Sequence, residues 1–471
     1  MKKPDFLFLL VVAGFAVWWL PSFGTYGLFC DGLGYGCISR NWAFSDDPNI
    51  WLLVTSSTIE PQFNGHPPFA FWTESLLFKL LGDHFWIEHL YGLIMAVLTA
   101  FGIYKIWQKI FAAHHPSGYK SETAFLGIAL WLMIPLIGWS YSNNMLENTL
   151  CALTLFATLF LIPDKNQENN WLKITVSGLL IFAATLTKGP VGLFPLAVII
   201  MHWIAYRTEK LKTSILKSIY LTLVVVMAYA LLIFFSDNAK QFLIRYVDVQ
   251  LYGSIIKQNG TSPRGAIIEN IILEPLIALA LVTIGWLIVY KDRLRINSVA
   301  FKAFCFFALI TLCIVVPLSL SPKQMSYYIV PALPFLSLAL AVLFLPVWIH
   351  FSDFLNAQKW LRQLCMTTVA ICITIMIYRW GSVSRDKEML ADVFEIKTIV
   401  PPNDTIGITS KVYERWSLHG YLNRFGHIDL FTGNVPYKHW LLLQGEQFDI
   451  DTSAYKRYEL KGYVLYSVNR K

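Results

Sequence analysis

Charged residues are scarce in this sequence: only 14% of its 471 residues are Asp, Glu, Lys or Arg, against 56% hydrophobic ones, and its mean hydropathy is positive. That balance excludes a soluble multidomain enzyme, because no soluble core needs so many long apolar runs. Cysteine is also sparse. The seven cysteines show no metal-ligand spacing, and Cys151, Cys305, Cys313, Cys365 and Cys372 fall in or beside apolar segments, where they read as small apolar residues. Cys30 and Cys37 flank Asp31, and two free thiols are favoured there over a disulfide. There is no internal repeat and no low-complexity tract. Acidic residues are outnumbered, giving a net charge of +8, yet the Lys and Arg cluster in short loops between apolar runs. Such loops are topology signals, so a role in nucleic-acid binding is rejected.

What remains is a polytopic membrane protein. Phe6 to Phe23 is apolar enough to cross a bilayer, follows Lys2 and Lys3, and ends near Trp18-Trp19, an interfacial anchor. No small-residue cleavage pattern follows it, so it reads as a retained first helix with a cytoplasmic N-terminus. Further spans are expected at about His84 to Trp107, Ala124 to Trp139, Thr149 to Ile162, Ile174 to Leu186, Val191 to Tyr206, Ile215 to Phe235, Leu273 to Tyr290, Ala300 to Leu318, Tyr328 to Trp348 and Met366 to Tyr378, eleven in all. Pro67 to Leu81 is short and amphipathic, with Trp72, Glu74 and Lys79, and is expected to lie in the interface. Counted this way, the basic groups at Lys105, Lys109 and the His114-His115 loop, at Arg207, Lys210, Lys212 and Lys217, at Lys291, Arg293 and Arg295, and at Lys359 and Arg362 all fall on the cytoplasmic side. Making Pro67 to Leu81 a span would invert every later loop.

The opposite side then gathers the Gly24 to Gly82 loop, the Trp139 to Glu147 turn, the Thr187-Lys-Gly-Pro190 turn, the Ser236 to Asn270 loop and the Ser319 to Tyr327 loop. After Arg379 the membrane-length runs end. Residues 381–471 combine a helix near Lys387 to Thr398 with strand-like runs at Thr405 to Thr409, Ile428 to Phe431, Trp440 to Leu443 and Tyr463 to Val468. The expectation is an all-α polytopic membrane domain, 1–380, followed by a small extracytoplasmic α/β domain, 381–471.

Four stretches on that outer side carry a family resemblance: Asp31-Gly-Leu-Gly-Tyr35, His66-Pro-Pro-Phe-Ala-Phe-Trp72, Thr187-Lys-Gly-Pro-Val191 and Leu320-Ser-Pro-Lys-Gln-Met-Ser-Tyr-Tyr-Ile-Val-Pro331. In this order they resemble the GT-C fold glycosyltransferases that use polyprenyl phosphate, the group with protein O-mannosyltransferases and the lipid A aminoarabinose transferase. The resemblance implies a hexosyl- or pentosyltransferase of the inner (plasma) membrane that serves cell-envelope glycan or lipopolysaccharide synthesis. Its donor would be a polyprenyl-phosphate-linked sugar and its acceptor a lipid, glycan or protein. No cofactor follows, a divalent cation being left open. Gly32 stands where relatives commonly have a second acid, His66 where they often have Lys, and Glu147 where another acid, often Asp, is found.

The chemistry can be argued beside the resemblance. Moving a sugar from polyprenyl phosphate to a hydroxyl needs a base for the acceptor proton and positive charge for the departing phosphate. Asp31 is the candidate base. His66, Lys188 and Lys323 are candidates for the phosphate. Glu147 is assigned to orient the acceptor or bind a cation, and Tyr35, Tyr327 and Tyr328 to contact sugar. Each has a plainer reading: Asp31 as a turn residue, Lys188 as an interfacial anchor, His66 as the start of the interfacial helix, Glu147 as a partner for a helix dipole, the tyrosines as belt residues. His89 and His202 read as packing residues. A transporter or flippase for a lipid-linked glycan is the competing function, but it calls for ionisable residues at mid-membrane, and the acidic residues here sit at the rims. A membrane scaffold would leave the four motifs unexplained.

Overall fold

The computed structural model describes residues 5–47, 49–58, 60–114, 121–164, 170–253, 263–289, 296–432, 439–445 and 455–468. Lys2, Lys3, the His115 side of the first cytoplasmic loop, Lys291, Arg293, Arg295 and part of the Ser236 to Asn270 loop lie outside them.

A helical segment occupies each of the eleven expected ranges. In chain order the helices are α1 (Phe6–Trp19), α2 (Cys30–Ala43), α3 (Phe69–Leu81), α4 (Ile87–His114), α5 (Phe125–Leu132), α6 (Pro135–Ser142), α7 (Leu146–Leu161), α8 (Trp171–Lys188), α9 (Val198–Tyr206), α10 (Leu211–Phe235) and α11 (Asp237–Tyr246). They continue as α12 (Ala266–Leu273), α13 (Leu276–Ile288), α14 (Ser298–Leu320), α15 (Leu333–Ala357), α16 (Lys359–Arg379) and α17 (Lys387–Ile399). Among the described residues, six helical runs are long and apolar enough to cross a membrane singly, and the pairs α5–α6 and α12–α13 pass that test as bent units with angles of 79° and 47°. Pro135 explains the sharper bend, since its ring cannot continue the preceding helix. The chain is thus a multi-pass membrane protein. Burial ranks its helices: α10 and α16 face outward along nearly their whole length, whereas α15 forms the centre of the bundle.

The continuous run Trp171–Tyr206 is one of the six by length, but its course is a hairpin. Gly189-Pro190 and Pro195 convert its middle into 3-10 turns over Gly189–Ala197, since proline supplies no N–H. The returning chain comes so close that a Cβ at Gly192 would stand 2.7 Å from the backbone at Ala184 and Thr185. His202 of α9 accordingly lines the same small cavity as Ile174 at the start of α8. His202 stacks on Tyr206 at 4.7 Å, and His89 bonds the Thr25 carbonyl, so both are packing residues.

Two amphipathic helices lie beside the bundle. α3 buries Ala70, Phe71, Glu74, Ser75 and Phe78, and α11, capped by the Ser236 hydroxyl on the Ala239 N–H, buries Ala239, Phe242 and Tyr246. Glu74 is 2% exposed. Burial pushes its carboxyl up to about 8, Glu88 adds to the shift, and Ser39, Asn144 and Arg424 oppose it. The geometry suits the neutral acid. Ser39 Oγ sits 2.6 Å from Glu74 Oε2 and 3.0 Å from the Tyr35 carbonyl, so a protonated Glu74 donates to Ser39, which donates onward. Because the folded pKa is raised above the usual ~4.3, the wild type loses stability as pH rises from there towards about 8. Glu74→Gln keeps a donor for Ser39 and does not titrate. It is expected to melt like the wild type near pH 5 and above it at pH 8 to 9, in thermal unfolding followed across that range.

The C-terminal chain forms a five-stranded sheet: β1 (Thr405–Ile408), β2 (Asp429–Phe431), β3 (Trp440–Leu443), β4 (Tyr455–Glu459) and β5 (Val464–Val468), in the order β2-β1-β3-β5-β4. β1 runs parallel to β2 and β3, and β5 antiparallel to β3 and β4. The β1 to β2 crossover carries two short helices, Ser410–Tyr413 and Trp416–Tyr421, and a π turn over Leu422–Gly426. Four of these strands and α17 match the sequence reading. β4 does not, because its burial pattern is mostly exposed and gives no apolar alternation to read. The core of this unit includes Leu28 and Leu33 from the N-terminal half, and Tyr26 pairs with Ser382 and Ser384 through backbone hydrogen bonds of 2.8 and 2.9 Å. The C-terminal unit is therefore packed onto the loop that carries Asp31.

Candidate active site

Asp31 lies in the first turn of α2, where the helix dipole favours a carboxylate. The turn between α6 and α7 fixes this end of the helix. Asn143 Oδ1 accepts from the Phe29 N–H at 2.8 Å, and Asn144 Nδ2 donates to the Gly32 carbonyl at 3.3 Å. The same turn accounts for Gly32: a Cβ there would collide with the Asn143 carbonyl oxygen. No side chain, acidic or otherwise, fits at this position without moving the turn.

Tyr327 donates to Asp31 Oδ2 at 2.9 Å, and its ring stacks on Trp139 with centroids 5.8 Å apart. Asp31 Oδ1 has no hydrogen-bond partner among the described residues. Lys188, at the C-terminal end of α8, is 9% exposed and paired with Glu147, which is 1% exposed. Its ammonium lies 4.6 Å from the centroid of Tyr328 and 5.4 Å from that of Tyr327. Lys323 has no carboxylate partner among the described residues. His66 is half-buried, packed against Tyr35 and Phe63 with ring centroids 5.8 and 6.3 Å away. Burial, then the nearby Lys188 and Lys323, hold its imidazole well below the usual range. It is therefore neutral, and offers one N–H at most, not the two of a protonated ring.

Two cavities meet here. The first, about 380 Å³, is the more polar of the two and is lined by residues that include Asp31, Tyr35, Thr55, Glu60, His66, Gln250, Lys323 and, from the C-terminal unit, Trp416, His419 and Gly420. The second, about 770 Å³, is mainly apolar and lies between the Gly189–Ala197 turns and α14, with Lys188, His66, Lys323 and Tyr328 at one end. Gly65, His66, Gln250 and Lys323 line both. From the second, an apolar space of about 480 Å³ runs on between α9 and α14 past Leu193, Phe194, Met201, Leu312 and Pro317. A polar chamber, a cationic ridge and an apolar groove thus follow one another.

Seven of the eight site residues expected from sequence are gathered at or beside these spaces. Asp31, Tyr35, His66, Lys188, Lys323 and Tyr328 line them, and Tyr327 stands behind Asp31. Glu147 is the eighth. It lines neither cavity: its Oε1 is engaged by Lys188, and its buried Oε2 has no hydrogen-bond partner among the described residues. Likewise, no group of three His, Cys, Asp or Glu among the described residues is disposed to hold a metal ion. Cys30 and Cys37 are free thiols, the form favoured from sequence. Sequence reasoning missed Thr55, Glu60, Gln250, Trp416 and His419, which carry no motif and reach the chamber only through tertiary packing.

The comparisons bear on the fold. Residues 65–234 match the family model described as dolichyl-phosphate-mannose-protein mannosyltransferase. The fold is similar to that of ArnT from Cupriavidus metallidurans bound to undecaprenyl phosphate, with a TM-score of 0.65 at 14% identity over 98% of this chain and 97% of that one. The apo state of the same protein gives a TM-score of 0.66 at 15% identity, over 98% and 97% of the two chains. The archaeal oligosaccharyltransferase AglB from Archaeoglobus fulgidus, in complex with an inhibitory peptide and a dolichol-phosphate, is similar at a TM-score of 0.52 and 12% identity, over 93% of this chain and 69% of that one. No curated protein matches. In fold and in motif order, this chain resembles the GT-C fold glycosyltransferases that use polyprenyl phosphate.

Proposed function

We propose that this protein is an integral membrane glycosyltransferase that moves a sugar from a polyprenyl-phosphate donor to a hydroxyl of a lipid, glycan or protein on the extracytoplasmic side. The observation that carries the reading is the sequence of polar chamber, cationic ridge and apolar groove, with a carboxylate in the chamber. The prenyl chain lies in the groove between the Gly189–Ala197 turns and α14. Its phosphate rests against Lys188 and Lys323, and the sugar projects into the chamber beside Asp31. Asp31 Oδ1 takes the proton of the acceptor hydroxyl while that oxygen bonds the anomeric carbon from the face opposite the phosphate. The carbon–oxygen bond to phosphate breaks with inversion, and polyprenyl phosphate leaves with its new charge on the two lysines. Tyr327 holds Asp31 through Oδ2, and Glu147 holds Lys188. Eleven crossings, an N-terminus in the cytoplasm and a C-terminal domain of residues 381–471 outside belong to the same proposal, as does an inner (plasma) membrane location.

The test uses the purified full-length protein in detergent with undecaprenyl phosphate as probe. The wild type is expected to gain thermal stability with added lipid. Lys323→Ala is expected to bind it about 10- to 100-fold more weakly, the loss of one charge-assisted contact. Lys323 is the better choice than Lys188, since its removal strands no buried partner. A wild type indifferent to the lipid would overturn the reading.

A further inference from the structure

The transfer step above makes no use of the wall that the C-terminal unit gives the polar chamber. That wall and its surroundings carry unspent hydrogen-bonding capacity. Thr55 Oγ1, His66 Nδ1 and His419 Nδ1 are all buried, all belong to residues lining this chamber, and none has a hydrogen-bond partner among the described residues. Buried polar atoms are almost always paired in folded proteins, so three orphans around one cavity point to a ligand that pairs them.

His419 is the most defined of the three. It is 8% exposed, and its Nε2–H donates to the Tyr413 carbonyl at 3.0 Å, which places the proton on Nε2 and leaves a lone pair on Nδ1. Burial keeps the ring neutral by lowering its pKa. Nδ1 is therefore an acceptor that needs an O–H or N–H. The Thr55 hydroxyl can donate as well as accept. Trp416, with its ring centroid 5.6 Å from that of His419, supplies a half-exposed aromatic face, and Asp31 and Glu60 supply carboxylates. Lys323, on the ridge, is the one cation that lines the chamber among the described residues. A lone pair, a hydroxyl, an aromatic face and carboxylates suit a neutral, hydroxyl-rich ring, and suit an anion poorly.

We propose that this chamber is a saccharide subsite and that His419, from the C-terminal unit, is a specificity determinant that reads one sugar hydroxyl through Nδ1. The inference rests on the transferase reading only in taking the saccharide to be part of the donor or of the acceptor.

Cys30 lines the same chamber and is partly exposed, which makes it a reporter of occupancy. The experiment follows alkylation of Cys30 in the full-length protein by N-ethylmaleimide, read by peptide mass spectrometry, with and without millimolar methyl mannoside, glucoside or galactoside. At least one glycoside is expected to slow Cys30 alkylation several-fold in the wild type. His419→Leu is expected to abolish that protection, and His419→Gln, which retains an acceptor oxygen, to keep part of it. Thr55→Val provides a second variant should His419→Leu fail to fold. Protection by no glycoside, or protection undiminished in both His419→Leu and Thr55→Val, overturns the proposal. Thermal stabilisation by undecaprenyl phosphate is measured on the same samples and is expected to survive in His419→Leu. Glycoside protection without any lipid effect in the wild type would sink the transferase reading and leave the subsite standing. In a transfer assay, a raised KM for the donor in His419→Gln assigns the ring to the donor, and a raised KM for the acceptor assigns it there; an unchanged KM for both overturns the specificity role.

Discussion

Asp31→Asn is expected to lower the rate of sugar transfer by about 10²- to 10⁴-fold, the contribution of a positioned general base, while leaving donor binding close to that of the wild type. The amide is nearly isosteric with the carboxylate. Its carbonyl oxygen still accepts from Tyr327, and losing the charge in the first turn costs only about 0.3–1 kcal/mol, so α2 and the turn behind Gly32 are not disturbed. What the amide lacks is a site for the acceptor proton. In the proposed reading donor affinity rests on Lys188, Lys323 and the apolar groove, none of which touches the substituted atoms, so the loss is expected in kcat with KM for the donor unchanged. Tyr327→Phe gives a graded comparison: it removes only the bond to Oδ2 and is expected to cost about tenfold, near the worth of one hydrogen bond to a charged group. Transfer of a labelled sugar from polyprenyl phosphate, measured with donor binding in parallel, separates the outcomes. Equal transfer by Asp31→Asn and the wild type would sink the assignment of Asp31 as the base.

The motifs were legible because each one combined chemistry with a place in the chain. Asp31, His66, Lys188 and Lys323 were found as ionisable residues in loops that the charge pattern put on one side of a membrane, and the fold brings those loops to one pair of cavities. The helix positions were legible for a different reason: a bilayer demands long apolar runs, and Gly-Pro pairs such as Gly189-Pro190 break them in plain sight. Contacts across the fold were not legible. Glu147 reads as a carboxylate at a helix start, and only the packing of α7 on α8 shows that Lys188 pairs with one of its oxygens. Gly32 reads as a missing acid until the turn at Asn143 is seen to fill the space. Trp416 and His419 lie in a helix of 6 residues, less than two turns and too brief for any periodicity, and they join the chamber through a core shared with Leu33. The same holds for the tie between the two halves of the chain, which involves no motif at all.

That tie is Arg424, and Arg424→Met is expected to be the most destabilising single substitution outside the bundle. Arg424 is 2% exposed and spends its guanidinium on the base of α4: Nε donates to Glu88 Oε1 at 2.5 Å, Nη1 to Asp83 Oδ1 at 2.5 Å, and Nη2 to the His84 carbonyl at 2.8 Å and to Glu88 Oε2 at 3.2 Å. Its Cζ lies 4.9 Å from the centroid of Phe78. Glu88 is 1% exposed, so the methionine leaves a buried carboxylate without its partner, a loss of about 3–5 kcal/mol. Arg40 softens the effect at Asp83, which it reaches at 3.1 Å, but not at Glu88. Burial works against ionisation of Asp83, yet His427, Arg424 and Arg40 together outweigh it and hold the carboxyl well below the usual range. Its contribution is therefore present above the unfolded value of about 4 and is lost as pH falls further, so the wild type and Arg424→Met should converge in acid. Two measurements check the account. Thermal unfolding at neutral pH should show the loss, and limited proteolysis should show the chain beyond about residue 381 cut sooner, as the sheet is released from the membrane-facing loops. Adding Glu88→Gln to Arg424→Met removes the stranded charge and is expected to recover part of the stability, because the penalty lies in the unpaired carboxylate more than in the bond itself. A double variant no more stable than the single one would mean that the arginine matters chiefly through its packing on Phe78. Transfer activity should fall with the single variant too, since the wall bearing Trp416 and His419 is positioned by the π turn that holds Arg424.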